Sequence, residues 1–353
     1  MALIKVNNRG QSADFTTEYG GRRNLIINGD FQINQRSVTS STSNGFLADR
    51  WYCGVDNTHT QAIVSDAPEG FKYSHKITVG SASANTVLGY FFTKIEAQNI
   101  ITPLGWDGAG NGSNAVLSFW VKSSVTGKYS TYSRNNADTE NYIKTFTINS
   151  ANTWEYKTLS ITPPTAGTWT TDNTSGLQLS FGLSGSASAN AVASEGWHTA
   201  NYIMTTDSTD LYTNAGATWQ ITGIQLEKGD IATPFEHRSF GEELALCQRY
   251  YSQVSEYGQQ WNAGNKMHGD MASHGSSNGW FGPISFPQPM RTSPTVTQTG
   301  AEAFNGGVWA SWSTVNASAR TNSYMYMDVS GGVSTSNGQS LLIKLYWKAE
   351  AEM

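Results

Sequence analysis

The chain has 353 residues and a formal net charge of −5. That is room for two ordinary domains and too little basic charge for a general nucleic-acid binder, whose affinity rests on Lys and Arg neutralising phosphates. Only 14% of residues are charged and 12% are aromatic, against about a quarter charged in ordinary globular domains; disorder needs few aromatics and high net charge, so that class is excluded and short strands joined by Ser, Thr, Asn and Gly turns are expected.

Residues 1–23 read as an anchoring arm, with Gly10, Gly20, Gly21 and the basic pair Arg22-Arg23 but too few apolar side chains for a core. Its first residues turn polar at Asn7, without the apolar core of a signal peptide, and no stretch approaches the roughly 20 apolar residues of a membrane span. Synthesis in a reducing cytoplasm and no membrane insertion are expected. A first domain is expected over 24–236. It opens with Leu25-Ile26-Ile27 before an Asn28-Gly29 turn signal. Period-two alternation then marks strands at 76–79, 115–122, 142–148, 154–161, 177–181 and 219–227, with apolar side chains on one face and polar ones on the other. Many short strands with Gly- and Ser-rich turns are the pattern of a sandwich or jelly roll.

One helix is expected, at 239–251 within a 237–251 linker. Ser239 and Glu242 fit a capping box, acids occupy its first turn and Arg249 its last. Leu244, Cys247 and Tyr251 would share one face, available either to the chain's own sandwich or to a subunit interface. Residues 252–353 return to strand signals, ending in an apolar strand at 341–348. The expected fold is all-β: two β-sandwich, jelly-roll-like domains linked by one short α-helix and preceded by an extended N-terminal arm. Cys53 and Cys247 are too few for a disulfide framework and are expected as buried free thiols.

Several segments, taken together, resemble tail-fibre and other virion proteins of tailed bacteriophages that carry a carbohydrate-binding-module-like jelly roll. They are residues 24–31, Ala48-Asp49-Arg50-Trp51, Lys94-Ile95-Glu96 ahead of the 117–122 strand, 221–229, 232–236 and 243–251. The resemblance covers 24–251. It implies a structural place on the phage particle, a homotrimeric fibre docked to other virion proteins through residues 1–23, and contact with host surface glycans. A capsid decoration or head-fibre protein and a glycan-degrading tailspike are the alternatives. No cofactor is required. The resemblance also implies a structural calcium near the first and last strands, where Asp30 and Glu227 offer the hard oxygen ligands such an ion takes.

The residues themselves point away from catalysis. Glycan cleavage needs two carboxylates flanking the scissile bond, and Asp49, Glu96, Asp107, Glu140, Glu195 and Asp207 form no local motif. There is no Gly-x-Ser-x-Gly elbow, and the Gly108-Ala109-Gly110-Asn111-Gly112 run lacks the Lys of a phosphate loop. His268, Asp270 and His274 place imidazole and carboxylate within seven residues, either a transition-metal set or a polar loop. Sugar binding wants an aromatic platform beside polar groups. Trp106 with Asp107, Trp169, and Trp197 with His198 have that local composition, whereas Phe119, Trp154 and Trp219 read as core.

Overall fold

A computed structural model describes residues 22–83, 87–254, 267–270, 278–305, 308–311, 313–319, 321–331 and 340–353. The alternating segments of the first 230 residues form facing antiparallel sheets. In chain order the elements are β1 (Ser40–Ser41), β2 (Gly45–Phe46), β3 (Tyr52–Val55), β4 (His59–Val64), β5 (Ser74–Val79), β6 (Gly89–Glu96), α1 (Ala97–Leu104), β7 (Ala115–Ser123), β8 (Gly127–Arg134), β9 (Asn141–Ile148), β10 (Glu155–Ile161), β11 (Ser175–Ser184), β12 (Ala191–Val192), β13 (Gly196–His198), β14 (Met204–Thr205) and β15 (Thr218–Lys228). One sheet runs β1-β4-β5-β15-β7-β10 and the other β13-β9-β8-β11-β6-β3-β2.

Alternation explains the pairing of faces. In β7 Leu117, Phe119 and Val121 are fully buried, and in β11 Leu177, Leu179, Phe181 and Leu183 do the same from the opposite sheet. Rings carry the core across the gap. Trp51 stacks on Phe91 at 5.0 Å, Phe181 meets Trp219 at 5.6 Å and Phe119 at 5.1 Å. Each ring buried this way stabilises the fold by about 1.5–3 kcal/mol relative to exposure. Phe119 and Trp219 are core, as read from the sequence. Trp154 is not: it lies half-buried outside the six-stranded sheet, under the Lys122 ammonium at 4.9 Å, because its side chain falls before the strand's buried positions begin.

The opening segment differs from its expected form. Residues 24–31 are not a regular strand but an irregular run pinned along β15, with the Leu25 N–H donating to the Leu226 carbonyl at 2.9 Å and the Ile224 N–H to the Gly29 carbonyl at 3.0 Å. The Asn28-Gly29 signal does mark a turn. Asn28 adopts a φ of 57°, and a Cβ on Gly29 would lie 2.1 Å from the Ile224 oxygen. α1 was not read from the sequence; eight residues with Pro103 inside give little helical signal.

The linker helix is α2 (Phe240–Gln248), capped by Ser239, whose hydroxyl accepts the Glu242 N–H. It stops earlier than the spacing suggested. Tyr251 begins β16 (Tyr251–Val254), opposite Glu350, so it shares no helix face with Leu244 and Cys247. Within the helix Cys247 and Glu243 are buried and Leu244 is half-buried. Glu243 takes the Asn28 N–H and pairs with Arg238 at 3.2 Å, so this buried side packs on the chain's own sandwich.

The rest of the chain forms further strands: β17 (Met267–Asp270), β18 (Asn278–Ser285), β19 (Thr295–Asn305), β20 (Val308–Ser311), β21 (Thr314–Ala319), β22 (Tyr324–Ser330) and β23 (Ser340–Glu350). One sheet runs β16-β23-β19-β20 with β17 also on β23, and another β18-β22-β21. The expected last strand is β23, longer at both ends. The protein is thus all-β, with two sandwich units joined by a short helix. Residues 1–21 of the expected arm lie outside the described residues; Arg23 at its end donates to the Pro234 carbonyl and the Thr233 hydroxyl.

Candidate functional site

The outer face of the seven-stranded sheet carries aromatics where an alternating strand would place wet side chains. Along β6 burial alternates, with Phe91, Thr93 and Ile95 turned into the core and Tyr90, Phe92 and Lys94 turned out and half-exposed. Strand register extends this into a row. Phe46 lies opposite Tyr52, and Tyr52 opposite Phe92. Ring centroids are 5.2 Å apart for Phe46–Tyr52, 5.1 Å for the stacked Tyr52–Phe92 pair and 5.9 Å for Tyr90–Phe92. All four rings are half-buried, so they form a partly exposed aromatic ledge.

A polar row runs beside it. Lys94 lies opposite Gln178, and Gln178 opposite Arg134. Arg134 donates to Gln178 at 3.0 Å and to Asn201 at 2.8 Å, and pairs with Asp138 at 3.1 Å. At the other end Arg36 sits 5.1 Å above the Phe46 ring. Burial, then the neighbouring Tyr52 and Asp56, pushes the Tyr90 phenol up, so it is a neutral hydroxyl near pH 7. The ledge is bounded on one side by the β12–β14 segment. Ile203 and Met204 cover Tyr132 and Ile143, and a Cβ on Gly182 would lie 2.6 Å from the Ile203 oxygen. The cover can approach only because that position of β11 has no side chain. Apolar ring faces flanked by amide, hydroxyl and guanidinium groups match the C–H faces and hydroxyls of a sugar.

The tryptophans singled out in the sequence also converge, but elsewhere. Trp106, Trp169 and Trp197 meet edge to face, with centroids 5.6, 6.1 and 5.7 Å apart. Each indole N–H is taken by a backbone carbonyl: Ser113 at 2.8 Å, Ala166 at 3.0 Å and Thr162 at 3.1 Å. Trp106 is only 2% exposed, so it is core and not a platform. Trp169 and Trp197 are half-buried against it, and Trp197 sits on β13, the far edge of the sheet from the ledge. Asp107 is exposed but closes its own loop, accepting the Ala109 N–H at 2.8 Å and the Asn111 amide at 2.7 Å.

The acids have defined partners. Asp49 accepts from Gln35 and Arg36, and burial raises its carboxyl to about 6 against the lowering effect of Arg36. Glu96 takes a two-pronged bond from Arg249 at 2.6 and 2.8 Å and the Tyr250 hydroxyl at 2.6 Å; burial opposes ionisation there, but these donors outweigh it and lower the carboxyl. Glu195 pairs with Lys144 and Asp207 with Lys128. The Glu140 carboxyl, pushed up by burial, lies beneath Gly167.

Asp30 sits in the turn after Asn28, not on a strand, and accepts from Gln32. Glu227 of β15 accepts the Thr233 N–H at 2.9 Å and the Gln225 amide at 2.8 Å, tying the 229–236 connection to the sheet. Among the described residues no group of three or more His, Cys, Asp or Glu side chains is placed to hold a metal. His268 and Asp270 fall on β17, and His274 lies outside the described residues. Cys53 and Cys247 are free and buried; burial pushes the Cys53 thiol up to about 12.

The sequence matches no protein-family model and no curated protein. Among solved structures, the chain is similar to the enzymatically active domain of tailspike protein 4 of bacteriophage CBA120, with 14% identity and a TM-score of 0.34 over 58% of this chain. It spans 21% of that tailspike's length. It is also similar to a family 61 carbohydrate-binding module in complex with β-1,4-galactotriose, with 11% identity and a TM-score of 0.32 over 59% of this chain and 99% of the module. A family 11 carbohydrate-binding module from Clostridium thermocellum, in complex with a mixed-linked tetrasaccharide, matches with 11% identity and a TM-score of 0.30 over 56% of this chain and 99% of the module. Likeness at these scores adds nothing to the geometry.

Proposed function

We propose that the chain is a glycan-binding structural protein of a tailed-phage particle, a fibre-type component that binds sugars without cleaving them. The observation that carries the binding half is the Phe46–Tyr52–Phe92–Tyr90 ledge. A sugar ring stacks on Tyr52 and Phe92 while the Gln178–Arg134 side of the face supplies donors. Asp49 and Glu96, two acids on or near the ledge strands, are engaged in ion pairs with Arg36 and Arg249. The particle half rests on the phage resemblance. Three of its segments meet, with the Arg50 guanidinium 3.5 Å above Tyr250 and Arg249 on Glu96. Residues 1–23 would anchor to other virion proteins, and copies associated as trimers would add avidity to weak single sites.

The test is a glycan array followed by calorimetry on the hits. Tyr52→Ala and Phe92→Ala each lower affinity by about tenfold, or about 1.4 kcal/mol, with unchanged circular dichroism. Unchanged binding in both variants would move the site off the ledge, and release of shortened glycan by the wild type would replace binding with hydrolysis. Gold labelling of the amino terminus on particles tests the anchoring role: label at the junction with the particle supports it, and label at the outer tip contradicts it.

A further inference from the structure

Beside the ledge the charge is unbalanced. Lys94 projects from the same face as Phe92, with its ammonium 6.0 Å from that ring. Among the described residues no carboxylate pairs with it. Arg134, Arg291 and Arg50 oppose its charge, and Asp138 favours it. Asp138 is engaged by Arg134 at 3.1 Å, and Arg50 is matched by Glu352. The guanidinium of Arg291 is held by the carbonyls of Asn173, Ala351 and Glu352, neutral acceptors that leave its charge standing. Burial, then these cations, holds the Lys94 ammonium below the ordinary lysine value, which is the response of a cation short of an anion.

A second observation points the same way. Lys94 also lines a cavity of 390 Å³ whose other polar walls include Arg22, Asn24, Gln98, Asn99 and Arg238. Three of the lining residues are cations: Arg238 is matched by Glu236 and Glu243, while among the described residues Arg22 and Lys94 pair with no carboxylate. The volume is that of a small-ligand pocket, which starts at about 300 Å³.

We infer that the glycan taken by the ledge is acidic, a carboxylate-bearing sugar whose ring stacks on Phe92 and whose carboxylate pairs with Lys94. This rests on the binding reading above and adds the ligand's charge. Lys94→Met keeps the unbranched stem and removes only the ammonium.

The experiment uses the full chain on an array of uronate- and sialate-bearing oligosaccharides, each printed beside its carboxyl-reduced counterpart. The wild type binds acidic members and loses them in the reduced form. The preference weakens as salt is raised, since a half-exposed ion pair is screened. Lys94→Met lowers affinity for acidic members by about tenfold, and Lys94→Arg retains it. Equal binding to acidic and reduced members, or a Lys94→Met variant with wild-type preference, overturns the inference while leaving the ledge as a neutral-sugar site. No binding to any member, acidic or neutral, sinks the binding reading and this inference with it.

Discussion

Asn28 shows how one polar side chain can fix a fold. It is fully buried with a φ of 57°, a conformation that Asn tolerates better than most residues. Its amide donates to the carbonyls of Ile33 at 2.8 Å and Asp49 at 2.9 Å, its side-chain oxygen accepts the Ile33 N–H at 2.9 Å, and its carbonyl accepts the Trp51 indole at 3.0 Å. Asn28→Ala strands several buried groups and is expected to cost about 3 kcal/mol in urea unfolding. Asp49, one turn of this network away, is a pH reporter. Its carboxyl is raised to about 6 in the folded protein by burial and lies near 3.8 when unexposed to that effect. The folded state therefore holds its proton more tightly than the unfolded state. The stability from this group is complete below the unfolded value and is lost as pH rises from about 4 through 6. Asp49→Asn removes the titration, so the stability difference, variant minus wild type, should grow by about 2 kcal/mol between pH 4 and pH 7. A difference that stays flat across that window would show that Asp49 does not titrate there.

The strands were the legible elements. Their period-two pattern survives in β7, β10, β11 and β15 because one face of each meets the core rings. The ledge was not legible for the same physical reason. Tyr90, Phe91 and Phe92 are consecutive aromatics, so composition shows only that β6 is apolar on both faces. Which ring faces out is set by register against β3 and β11. That run of three consecutive aromatics in one strand was the available signal. Trp106, Trp169 and Trp197 were found by composition, which detects aromatics but not their burial. The end of α2 was misplaced because Tyr251 fits both the helical spacing and the strand that β23 imposes. The Ser239 cap was legible from four residues. Ser239→Ala is expected to destabilise by about 1 kcal/mol, read as a lower urea midpoint at unchanged slope. A change of slope instead would mean that α2 unfolds apart from the sandwich.

Across the whole molecule, the two β units are joined by more than the chain. Arg50 of the sandwich pairs with Glu352 after the last strand, and the Ala351 N–H donates to the Tyr250 carbonyl at 2.7 Å. Gln35 donates to the Tyr251 carbonyl at 2.7 Å, and Arg36 lies 3.7 Å above the Tyr251 ring. Arg36 thus reaches from this seam to the Phe46 end of the ledge. Arg50 and Glu352 are nearly buried, so Arg50→Met strips Glu352 of its nearer cation, leaving only Arg36 at 3.7 Å, and should cost about 3 kcal/mol. Hydrogen exchange should quicken in β16 and β23 before it does in β7; uniform quickening would show the units unfolding as one.

The central claim is that the outer face of the seven-stranded sheet is a sugar platform. Calorimetric titration of the double variant Tyr52→Ala/Phe92→Ala, with the oligosaccharide the wild type binds best, tests it most directly. The ledge account expects binding to fall at least about a hundredfold, or about 2.7 kcal/mol, with the melting temperature and oligomeric state preserved. Wild-type affinity in that folded double variant would contradict it.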